Sequence, residues 1–141
     1  MKLINLTLKD KRLDCLTGCV EIDFSGRNEV FEEIDLCEFY NGIVNLLNNT
    51  LGTDIFDLQS DFYNMPIILS LKRENEKMYI FKRNVYDEKV KDIYHNKYLV
   101  EKESVLLFVK ELKNSIIKRL SDYYSNQEIQ NYYLKNFEEL I

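Results

Sequence analysis

Apolar and polar residues alternate from Leu3 to Lys9, with Ile4, Leu6 and Leu8 on one side and Asn5, Thr7 and Lys9 on the other. That two-residue period predicts a half-buried strand, ended by Asp10, Lys11 and Arg12. A second strand follows with a bulge or bend near Thr17 and Gly18, then resumes as Val20, Ile22 and Phe24 against Glu21, Asp23 and Ser25. Ser25-Gly26-Arg27-Asn28 is turn chemistry, so residues 29 to 35 are expected to pair back as a third strand and complete an antiparallel meander. Asp35 stands three residues ahead of Glu38 and opens an apolar pattern running from Phe39 to Leu51. This is a capping-box signature for a helix, with Gly52 placed to end it. Gly42 inside that helix costs about 1 kcal/mol against alanine, so either the fold needs close packing there or the helix is marginal.

Beyond a polar connection holding Phe56, Leu58 and Phe62, residues 67–71 and 78–82 predict a hairpin across the turn Arg73 to Lys77, with Pro66 opening its first strand. Met78 and Ile80 face one way and Tyr79 and Phe81 the other, which predicts cover on both faces. Residues 84–100 have no clean period and predict a long loop with room for a short strand at its end. From about Glu101 a broad apolar stripe through Val105, Phe108, Val109, Leu112, Ile116 and Leu120 predicts a long helix. Ser125 and Glu128 form a second capping box, with Tyr124 and Ile129 as a hydrophobic staple, so a last helix turns a tight corner. The expected fold is α+β: one domain over residues 1–141, its antiparallel sheet packed against two C-terminal helices.

Composition supports that reading. A 141-residue chain with 45% apolar residues can build one core. No stretch approaches a membrane span and the N-terminus lacks the layout of a leader, so a soluble, unprocessed, cytoplasmic protein is expected. Cys15, Cys19 and Cys37 are odd in number and read as core fillers in a reducing compartment. The absence of Ala and Trp beside abundant Asn, Ile, Lys and Tyr points to an AT-rich genome, bacterial or phage.

Charge changes the picture most. Between Glu21 and Asp61 ten carboxylates face Arg27 alone, while the rest of the chain, with 18 basic and 14 acidic residues, is net positive. Such a block repels nucleic acid and attracts basic partners through a long-range field. The bases at Lys72, Arg73, Lys82, Arg83, Lys89, Lys91 and Lys97 are interleaved with acids, so no nucleic-acid surface is expected.

Catalytic and metal chemistry find little footing. The single histidine, His95, lies in the polar loop with no partner in sequence, and reads as a solvated residue. Cys15, Cys19, Cys37 and His95 do not complete a zinc pattern, and glycines at 18, 26, 42 and 52 cannot form a phosphate loop. No metal, no cofactor and no catalytic residue are expected. On a regular strand Glu33 and Asp35 share one face while Glu32 falls on the other with Ile34, so these acids cannot converge locally; a solvated edge that discourages aggregation is the bland reading of them. Tyr86 and Tyr94 in the loop suit protein contact, whereas Tyr123, Tyr124, Tyr132 and Tyr133 are expected in or at the core.

The strand-rich start, the segment Val20 to Leu36 with its Ile22-Asp23 and Phe31-Glu32-Glu33, the short helix, the hairpin and the late amphipathic helix together resemble the small acidic immunity proteins that bacteria encode beside secreted polymorphic toxins, including those of contact-dependent and type VII systems. The resemblance implies a cognate inhibitor that covers or distorts a toxin's active site with an acidic surface. A basic toxin domain of the nuclease type is then the expected partner, met by Glu29, Glu32, Glu33, Asp35, Asp54, Asp57 and Asp61 with Tyr86 and Tyr94 as anchors. Two other classes stay open: a cytoplasmic adaptor whose partner is another protein or its own copy, and an enzyme whose dispersed carboxylates the fold brings together.

Overall fold

The computed structural model describes residues 1–49, 54–58, 67–84 and 98–141. Strands β1 (Lys2–Asp10), β2 (Thr17–Asp23) and β3 (Asn28–Asp35) form a three-stranded antiparallel sheet in the order β1-β2-β3. Helix α1 (Leu36–Asn48) follows directly. Strands β4 (Ile55–Asp57), β5 (Ile67–Glu74), β6 (Lys77–Asn84) and β7 (Tyr98–Val100) form a second antiparallel sheet in that order, and α2 (Lys102–Leu120) and α3 (Asn126–Asn136) close the chain. The α+β expectation is met. Where one hairpin was expected, however, there are four strands: β4 falls in the stretch read as a polar connection, and β7 is the short strand at the end of the long loop.

Local chemistry accounts for the elements. Phe24 and Arg27 exchange backbone hydrogen bonds across Ser25 and Gly26, both at positive φ (56° and 96°), the two-residue turn whose twist matches the flanking strands. Asp35 accepts a hydrogen bond from the Glu38 amide at 3.0 Å and caps α1, and Ser125 and Glu128 make the reciprocal capping box of α3. Helix α1 ends earlier than expected. Asn49 takes the left-handed conformation (φ 55°), and the Arg73 guanidinium reaches across from β5 to donate to the carbonyls of Leu46 and Leu47, two of the acceptors a helix end leaves open. Gly52 lies outside the described residues, as do His95 and Pro66.

The core is one continuous apolar cluster fed by both sheets and all three helices, with Val20, Ile22, Leu36, Ile43, Leu71, Met78, Phe108 and Leu112 among its most buried members. Glycine 42 answers the question its helix posed: a Cβ there would overlap the ring of Phe56, so the bare glycine lets β4 close onto α1. Both faces of β6 are covered, since Phe81 is as buried as Ile80 and Met78. Of the three cysteines, Cys37 alone packs against the core. All three are free, Cys15 is exposed in a short 3-10 turn rather than on the strand, and Cys19 and Cys37 are half-buried. Tyr123 also departs from expectation, 55% exposed beneath the Lys11 ammonium 3.9 Å from its ring.

Candidate protein-binding surface

The first sheet departs from simple alternation in a way that shapes its acidic edge. In β1, Leu3 pairs with Ile22 and Asn5 with Glu21, so Ile4 is an extra residue and stands 47% exposed instead of facing the core as expected. A second irregularity falls between Leu8 and Asp10, opposite Gly18. In β3, Phe31 pairs with Val20 and Ile34 with Gly18, leaving Glu32 and Glu33 together opposite Cys19. That is a β-bulge, and Glu33 carries its strain at φ 50°. Beside the last two of these, Gly18 has no room for a side chain: a Cβ would sit 2.6 Å from the Thr7 carbonyl oxygen.

The bulge resets the faces. Phe31 and Ile34 are both buried, while Glu32, Glu33 and Asp35 are all exposed, so Glu32 does not share a face with the buried Ile34 as strict alternation would require. Glu38, exposed in the first turn of α1, continues the acidic row. One lysine answers it: Lys9 Nζ lies 3.4 Å from Glu33 Oε1 in a pair open to solvent. Glu32 makes no ion pair among the described residues. Val30 adds a half-exposed apolar side chain on the same strand, and β3 is the outer strand of its sheet, with no described strand on its far side.

The other expected contact residues lie apart from this row. Glu29 is half-buried and pairs with Arg27 at 3.4 Å, and the Arg27 guanidinium in turn sits 5.8 Å from the Tyr98 ring centre. These three line the mouth of a cavity of about 600 Å³ with Phe24, Leu69 and Ile80 in its wall. Asp57 ends β4 in the second sheet and Asp54 directly precedes that strand; Asp54 is 4.0 Å from Lys72 Nζ, and Asp57 is half-buried and accepts the Ser70 hydroxyl at 2.6 Å. Asp61, Tyr86 and Tyr94 lie outside the described residues. Sequence reasoning passed over Val30 and Lys9 as members of the surface. The signal for the bulge was present in the three-residue spacing of Phe31 and Ile34, too long for one strand face and too short for two.

Among the described residues no three His, Cys, Asp or Glu side chains are grouped to hold a metal ion, and no helix is long and apolar enough to cross a membrane. The chain matches no protein-family model, no curated protein and no solved structure.

Proposed function

We propose that this protein acts by binding a basic protein partner through the β3 edge, and that it is a cytoplasmic immunity protein whose partner is a toxin domain of the nuclease type. The observation that carries the reading is the run of Glu32, Glu33, Asp35 and Glu38, exposed along one strand and helix start, with Lys9 the one base ion-paired to it among the described residues. Carboxylates with so little local compensation project a negative field that speeds encounter with a cationic surface and disfavours nucleic acid. Val30 supplies an apolar contact beside them, and an outer strand offers main-chain groups for pairing with an extended partner segment. Catalysis has no part in this reading, which uses the carboxylates only as exposed charges.

The test is a titration of the purified protein against a basic toxin domain of the nuclease type, comparing wild type with Glu32→Lys/Glu33→Lys. The reading expects tight binding by the wild type and a loss of about tenfold or more in the variant, the scale of removing and reversing close charge pairs. Equal affinity of the two proteins would sink it.

A further inference from the structure

The cavity of about 600 Å³ opens between the two sheets, and none of the acidic row at Glu32, Glu33, Asp35 and Glu38 lines it. The register of the second sheet builds its floor. Leu69 of β5 pairs with Lys82 of β6, and Ile80 of β6 pairs with Tyr98 of β7, so these four side chains are neighbours on one face. Val100, two residues beyond Tyr98, extends that face, and Phe24 closes the cavity from the turn that follows β2.

That face changes character along its length. Leu71, Met78 and Ile80 are sealed in the core, Leu69 and Val100 keep 8% and 7% of their surface open, and Lys82 is exposed. Phe24, at 8%, is open to the same small degree. Tyr98 and Leu99 stand more than half exposed at the rim above them. A flat protein surface does not reach a floor recessed below such a rim, whereas a slender apolar body does, and the volume lies within the range of small-molecule sites.

Charge selects the kind of molecule. At the mouth Arg27 and Glu29 offset each other at 3.4 Å, and the Arg27 guanidinium is also held 5.8 Å from the Tyr98 ring centre, bridging the first sheet's turn to β7. Lys82 makes no ion pair among the described residues. The described side chains that line the cavity therefore carry one net positive charge, on a protein whose formal net charge is −5. An ammonium at the edge of an apolar recess favours a ligand whose anionic end stays at the mouth, hydrogen-bonded and partly hydrated, while its body leaves water.

We infer that this cavity binds a small amphipathic monoanion, a carboxylate on an aliphatic or aromatic body, with the body against Phe24, Leu69, Ile80 and Val100 and the carboxylate at Lys82. The inference is independent of the β3 reading, because it uses none of the carboxylates of that edge.

A methyl-detected NMR titration of the full chain tests it with two ligands of equal chain length and opposite charge, sodium decanoate and decyltrimethylammonium. A surface of net negative charge prefers the cation, so the order of the two reports the cavity. Decanoate should shift the Leu69, Ile80 and Val100 methyls saturably, with a dissociation constant below about 1 mM, and should bind more tightly than the cation. Lys82→Glu, a change at an exposed position, should weaken decanoate about three- to tenfold at low salt and leave the cation no weaker. Absence of a saturable shift at those methyls, a cation that binds as tightly as decanoate, or a Lys82→Glu variant with unchanged decanoate affinity overturns the proposal.

Discussion

Replacing Gly42 with alanine separates helix propensity from packing in opposite directions. In an isolated helix the change stabilises by about 1 kcal/mol. Here the new methyl would occupy the space of the Phe56 ring, which also meets Phe39 edge-on at 6.3 Å between ring centres. The ring must swing off α1, and overpacking of this kind costs about 1 to 3 kcal/mol, so Gly42→Ala is expected to destabilise by up to about 2 kcal/mol after the propensity gain. Truncating the ring removes the conflict, so in a Phe56→Ala background the same substitution should stabilise by about 1 kcal/mol. The sign reversal is the prediction. Urea unfolding of the four proteins of this cycle measures it, with a coupling of about 1 to 3 kcal/mol between the sites. If Gly42→Ala stabilises the wild type, or the two changes simply add, β4 is not held to α1 by this contact.

Three further outcomes follow from local geometry. The left-handed backbone at Glu33 predicts that Glu33→Val destabilises by about 1 to 2 kcal/mol while Glu33→Gly does not, a contrast read by thermal melting. The Arg12 side chain, donating to both oxygens of Asp10, holds that carboxyl down at about 2 against the usual 3.8. A depressed folded value stabilises above pH 3.8 and is lost as pH falls through about 2, and Arg12→Ala should raise the Asp10 midpoint in a carbon-detected NMR titration part of the way to the usual value, the amide of residue 12 still donating to the carboxylate. Burial pushes the phenols of Tyr40, Tyr132 and Tyr133 above their ordinary 10.0. Raised folded values give stability that is full below pH 10.0 and lost as pH climbs towards them, so the melting temperature should fall in step with tyrosinate absorbance above that pH; three phenols titrating normally in the folded protein would contradict it.

Much of the fold was legible because its signals are local. The Ser125 and Glu128 box, the Asp35 cap, the Ser25-Gly26 turn and the stripe from Val105 to Leu120 each need only a few neighbouring residues to declare themselves. What escaped depends on pairing at a distance. β4 spans three residues and, among the described strands, pairs only with β5, so Ile55-Phe56-Asp57 shows no alternation of its own. The bulges at Ile4 and at Glu32-Glu33 add one residue to a two-residue count, which inverts every side chain after them. That inversion exposed Glu32 and Glu33 together, so the acidic edge came from the same feature that defeated the strand pattern. Asn41 and Asn48 of α1, which hold the main chain of residues 136–141 by four hydrogen bonds, were invisible as a pair because those partners are backbone groups about ninety residues away.

The association rate of this protein with a basic toxin domain of the nuclease type, measured as ionic strength is raised, tests the proposed binding through the acidic edge most directly. An exposed row at Glu32, Glu33, Asp35 and Glu38 predicts a rate that falls steeply with salt, and a Glu32→Lys/Glu33→Lys variant that associates slowly with a much flatter dependence. A rate indifferent to salt, or a variant that follows the wild-type curve, would contradict it.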